Sequence, residues 1–107
     1  PAAMGAWAAT GGRRPIIAVT GDGGFAQYLA EVTTAVKHGM NITHVLLNNG
    51  QLGKISKEQR AVELDVWQTT LHNPDFAEYA RACGALGLGV SQAGELPAAL
   101  AQALRVA

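Results

Sequence analysis

Residues 18–31 read AVTGDGGFAQYLAE, an apolar, β-branched run that passes through a glycine cluster into a helical pattern. Glycine turns between a strand and a helix suit phosphate, because backbone N–H groups and the positive end of the helix face the anion. Here Asp22 sits inside the turn, and its charge repels phosphate. What this carboxylate faces decides the reading. The stretch GDGGFA, Gly21 to Ala26, formally matches the dinucleotide pattern G-x-G-x-x-A. Such a site takes an acidic residue at the end of the next strand, whereas the next strand here runs into Asn48 and Asn49. A P-loop needs Gly-Lys-Ser/Thr after the turn, and none follows. A blander alternative is that Asp22 only caps a helix starting at Phe25.

The neighbouring segments narrow the choice. PIIAVT (Pro15 to Thr20) and ITHVLLN (Ile42 to Asn48) have the pattern of parallel strands buried on both faces. Between them, Phe25, Leu29, Val32 and Val36 fall at helical spacing up to a stop at Gly39. The 24 residues between Gly23 and Asn48 are the length of one crossover. Asp22 and the pair Asn48-Asn49 are then expected at carboxyl ends of parallel strands, about 5 Å apart if the strands are neighbours. A carboxylate, a carboxamide oxygen and a backbone carbonyl form a hard oxygen set suited to Mg²⁺. In that arrangement the aspartate holds a cation that bridges to phosphate, and the N–H groups of Gly23 and Gly24 face the remaining oxygens.

The rest of the chain fits an α/β fold. Helices are expected over Pro1 to Ala9, from Gly53 to about Arg60, and from Gly94 to Val106. A further helix is expected with Asn73 as N-cap, Pro74 at its first position and Gly84 past its end. ALGLGV, Ala85 to Val90, reads as a third strand. Alternating strands and helices imply a parallel sheet flanked by helices on both faces. Residues 1–107 are expected to be part of one larger domain, truncated at both ends, because an uncapped helical pattern opens the chain and another closes it.

Composition excludes several functions. The formal charge is +0 with no basic or acidic block, which gives no footing for nucleic acid. No apolar run approaches the roughly 18–20 residues of a membrane span. The single cysteine, Cys83, has no intrachain partner, and a reducing, cytoplasmic setting is expected. His38, His44 and His72 lack zinc-ligand spacing. Cys83, Trp67 and Tyr79 read as packing residues.

GDG at Gly21 to Gly23, then 24 residues, then Asn48-Asn49 resembles the signature of thiamine diphosphate-dependent enzymes. The likeness runs over nearly the whole chain, through LHNPDFAEYARACG, and is to the C-terminal diphosphate-binding domain of the pyruvate oxidase or acetolactate synthase type. It implies thiamine diphosphate and Mg²⁺ as cofactors, with Asp22, Asn49 and the Gln51 carbonyl as metal ligands. It also implies cofactor contacts from Asp22, Gly23 and Gly24 and from Asn49, Gly50, Gln51, Leu52, Gly53, Lys54 and Ile55. Glu58 followed by Gln59 resembles the oxidases, with Glu58 the candidate catalytic residue, while Lys54 stands where both types carry a large apolar side chain. Partners implied are an aminopyrimidine-binding domain bearing the activating glutamate, a 2-oxo acid substrate, further copies of the enzyme in a homo-oligomer and, in a middle domain, possible FAD. The alternative from another class is a non-catalytic, Rossmann-like nucleotide or phosphate module.

Overall fold

The structure is a computed structural model and describes residues 1–106. Helix α1 (Ala2–Thr10) leads to strand β1 (Ile16–Gly21), which passes directly into α2 (Asp22–Ala26) and then α3 (Glu31–Lys37). Strand β2 (Ile42–Leu47) is followed by α4 (Gly53–Ala61), α5 (Phe76–Ala82), a 3₁₀ turn (Ala93–Glu95) and α6 (Leu96–Val106). The fold is α/β with a parallel sheet. β1 and β2 pair in parallel from Ile16 opposite Ile42 to Gly21 opposite Leu47, so both strands end at the same level. Asp22 and Asn48 therefore start from adjacent tips. α1 and α2 pack against both strands.

The first helix ends as its sequence requires. Gly11 adopts a left-handed conformation with φ 59°, and the N–H groups of Gly11 and Gly12 return to the carbonyls of Ala8 and Trp7 at 3.0 Å each. Left-handed geometry at this position favours glycine because a Cβ would crowd the backbone.

Four expectations need correction. The helix expected over Phe25 to His38 is broken between α2 and α3. There Tyr28 N–H bonds to Phe25 O at 2.9 Å and Glu31 N–H to Tyr28 O at 3.0 Å, a tighter bonding pattern than an α-helix. The Leu29 carbonyl at this break accepts the Tyr79 hydroxyl at 2.7 Å, which anchors α5 to the turn. The expected third strand, Ala85 to Val90, is extended chain without a ladder, since the sheet among the described residues has two strands. Gly87 in this segment lies against α5 instead: a Cβ there would come within 2.0 Å of the Ala77 carbonyl oxygen. The helix read from Asn73 begins later, at Phe76, with Asp75 as N-cap accepting Glu78 N–H at 2.9 Å.

The strands are not buried on both faces either. Ile17 and Val19 are 55% and 63% exposed, and no apolar side chain is buried among the described residues. A two-stranded sheet with few covering helices cannot enclose them. The radius of gyration, 15.6 Å, exceeds the about 13 Å of a compact chain of this length.

Candidate functional site

The site is built where β1 and β2 end. Asp22 is the first residue of α2, with Gly21 as N-cap, and its side chain does not cap the helix. The capping alternative is thereby removed. The carboxylate is 2% exposed and points across to the second strand's loop. Its Oδ2 accepts Gly50 N–H at 2.8 Å and Asn73 Nδ2 at 2.7 Å, while among the described residues Oδ1 accepts Gly23 N–H, at 3.1 Å. Burial pushes the Asp22 pKa up, but hydrogen bonds from Asn73, Gly50 and Gly23 outweigh it and hold the carboxyl below its ordinary value. An ionised carboxylate has about four acceptor positions, so Oδ1 retains capacity on its side.

The loop after β2 is shaped by one glycine and one asparagine. Gly50 has φ 71°, a left-handed turn that aims its N–H at Asp22. Asn49 Oδ1 accepts Gln51 N–H at 3.2 Å, a local turn made by the side chain. A Cβ on Gly53 would stand 3.3 Å from Asn49 Nδ2, so a small residue there leaves the carboxamide its room. The Gln51 carbonyl accepts no backbone hydrogen bond among the described residues.

A second segment clamps this loop from outside. Leu52 N–H donates to Thr69 O and Leu71 N–H to Gly50 O, both at 2.8 Å, around an antiparallel bridge between Gln51 and Thr70. Beneath the bridge, Ser56 Oγ donates to Thr69 Oγ1 at 2.8 Å, and both residues are buried. Asn73 continues from this segment and donates from one Nδ2 to Asp22 and, at 2.9 Å, to Asn48 Oδ1.

Residues 21–24, 47–49 and 51–55 line one open pocket at this tip. The structure thus brings Asp22, Gly23 and Gly24 together with Asn49, Gln51, Leu52, Gly53, Lys54 and Ile55, and Gly50 joins through its bond to Asp22. Glu58 is not brought to the pocket. It lies one turn beyond Ile55 on α4, its side chain 65% exposed, 3.9 Å from Lys54 Nζ. Lys54 is itself 87% exposed and pairs with a neighbour on its own helix. An i, i+4 surface pair of this kind is worth a few tenths of a kcal/mol at most, ~0.3–0.5. Sequence reasoning placed Asn48 at the strand tip but missed Ser56, Thr69 and Asn73 as parts of the site. Among the described residues, no group of three or more His, Cys, Asp or Glu side chains is placed to hold a metal, so any ion here relies on carboxamide and carbonyl oxygens beside one carboxylate.

The model of the thiamine pyrophosphate enzyme C-terminal TPP-binding domain matches residues 1–107. The chain belongs to that family. YdaP of Bacillus subtilis (strain 168), provisionally described as thiamine pyrophosphate-containing, is 45% identical over 91 residues, which covers 85% of this chain and 16% of that protein. The catabolic acetolactate synthase of Raoultella terrigena is 36% identical over 107 residues, 99% of this chain and 19% of its own length. A thiamine diphosphate-dependent 4-hydroxybenzoylformate decarboxylase of Rhodococcus jostii RHA1 superposes with a TM-score of 0.89 at 25% identity, over 98% of this chain and 20% of that one. A benzoylformate decarboxylase of Polynucleobacter necessarius gives 0.83 at 26% identity, over 97% and 20%. The chain spans about a fifth or less of each relative's length. No helix among the described residues is long and apolar enough to cross a membrane.

Proposed function

We propose that these residues are the diphosphate- and Mg²⁺-holding part of a thiamine diphosphate-dependent enzyme that removes CO₂ from a 2-oxo acid such as pyruvate. One observation carries the reading: a buried carboxylate at the tip of β1, whose Oδ1 is the less heavily hydrogen-bonded oxygen, lines the same pocket as Asn49 and Gln51. The donor set fits the ion. Mg²⁺ takes one or two protein carboxylates and completes an octahedron with other oxygens. Asp22 Oδ1, Asn49 Oδ1 and the unpartnered Gln51 carbonyl would hold it. Space fits as well, since a Cβ on Gly24 would meet nothing within 4 Å, which leaves its backbone open to a phosphate oxygen.

When bound, thiamine diphosphate supplies the electron sink through which a 2-oxo acid loses CO₂. This chain's own contribution is positional. Asp22 and the loop Asn49 to Ile55 grip the diphosphate end, and Leu52 and Ile55 present apolar surface beside it. A tail fixed in this way lets groups on other domains act in near-attack geometry. The proposed partners are an aminopyrimidine-binding domain and further copies of the enzyme, which would also cover the exposed apolar strand faces.

The test is calorimetry on the complete enzyme with thiamine diphosphate and Mg²⁺, beside NADH and ATP. Asp22→Asn is expected to weaken Mg²⁺-dependent cofactor binding by about tenfold or more. Unchanged affinity, or a preference of the parent enzyme for a nucleotide, overturns the reading.

A further inference from the structure

Asn73 stands 51 residues from Asp22 in the chain and touches it directly. Its Nδ2 carries two hydrogens, and both are used: one on Asp22 Oδ2 and one on Asn48 Oδ1. The side chain therefore joins the carboxylate at the end of β1 to the first residue beyond β2. Oδ2 receives a second hydrogen bond from Gly50 N–H, so both of its lone pairs are engaged. Oδ1 has one long bond at 3.1 Å. The two oxygens of one carboxylate are thus unequal, and Asn73 accounts for much of the difference.

From this geometry we infer that Asn73 is a positioning residue that ties up Asp22 Oδ2 and so presents Oδ1 alone to the cation. This inference rests on the reading of Asp22 as a metal ligand. Its consequence is selectivity. Mg²⁺ demands near-octahedral geometry at short distance, whereas Ca²⁺ accepts a carboxylate through one oxygen or both and tolerates irregular shells. A carboxylate with one oxygen withheld favours the smaller ion. Removing Asn73 frees a lone pair on Oδ2 and lets the carboxylate turn.

The experiment uses the complete enzyme, stripped of metal and saturated with thiamine diphosphate. Mn²⁺ binding is read by electron paramagnetic resonance and displaced with Mg²⁺ or Ca²⁺. For Asn73→Ala, the Mg²⁺ dissociation constant is expected to rise about tenfold, as when a ligand's hydrogen-bond partner is lost. The Ca²⁺ constant rises less, so the Mg²⁺:Ca²⁺ preference moves by about threefold toward Ca²⁺. Gly12→Ala, in the turn before β1 and so at the other end of the strand from Asp22, serves as the control for destabilisation alone, since a Cβ there would stand 3.0 Å from the Trp7 ring at φ 69°. It is expected to lower the unfolding temperature without moving the preference. If Asn73→Ala does not fold, Asn73→Ser, whose single hydroxyl cannot serve both acceptors, gives the same readout. A preference that stays within the scatter of the parent enzyme, or that Gly12→Ala moves equally, overturns this inference alone. A parent enzyme that binds none of the three ions overturns the ligand role of Asp22 and this inference together.

Discussion

The tip of the sheet and its faces are held in opposite ways. At the tip, the buried side chains are polar: Asp22, Ser56 and Thr69 lie within a web of hydrogen bonds that crosses from residue 22 to residues 50 and 73. Along the faces, Ile17, Val19 and Leu47 remain more than half exposed, and a wide groove lined by residues such as Ile16, Val36, Met40 and Leu88 stays open. α6 packs mainly against its own 3₁₀ turn. The difference teaches where each property comes from. The geometry of the site is set by directional bonds, while the apolar burial that normally drives folding is not completed among the described residues.

That contrast can be broken at several points. The largest effect is expected for Val19→Asp in the complete enzyme. If other domains cover this face, an unpaired charge is buried at a cost above about 4 kcal/mol, and little folded enzyme is recovered. A change within about 0.5 kcal/mol, read from thermal unfolding, would mean that the face stays in water and that the contrast is false. Ser56→Ala tests the other side. It leaves the buried Thr69 hydroxyl without its 2.8 Å partner and is expected to cost about 1–2 kcal/mol by denaturant titration. An unaltered midpoint would mean that the clamp on the 50–52 loop does not depend on this hydroxyl pair.

The smallest effect is expected from Tyr79→Phe, which loses the bond to Leu29 O and costs about 1 kcal/mol at neutral pH. Burial first, and the neighbouring Cys83 second, raise the Tyr79 pKa above its ordinary value of 10.0. A raised folded value means that the stability is fully present below pH 10 and is lost as pH rises through the folded pKa. The difference between parent and Tyr79→Phe unfolding midpoints should therefore shrink above that pH. A constant difference would remove Tyr79 ionisation from the account.

The parts of the site that sequence reveals are those written locally. A β-branched run ending in GDG, and a second ending in Asn-Asn, mark two strand tips, and the crossover length between them made neighbouring tips the natural expectation. The short helix from Gly53 was equally visible. Asn73 was not, because Asn-Pro-Asp before an apolar stretch satisfies a local capping rule at either polar residue; Asp75 takes the cap and leaves Asn73 free to reach Asp22. Ser56 and Thr69 pair across 13 residues with no period to announce them. The break after α2 was hidden because the apolar stripe continues through it, and only the Tyr79 hydroxyl, 50 residues away, marks the carbonyl at the bend. The catalytic expectation for Glu58 followed from the letters around it; its side chain is 65% exposed and lies 3.9 Å from Lys54 on the same helix.

The in-step pairing of β1 with β2, from Ile16 against Ile42 to Gly21 against Leu47, makes the sheet a ruler. An extra residue near Gly39, in the bend before β2, can be looped out with both tips still level. The same insertion inside β2 would turn every later side chain to the opposite face and carry Asn48 and Asn49 away from their counterpart. Natural length variation should therefore gather in the bend and spare the strand.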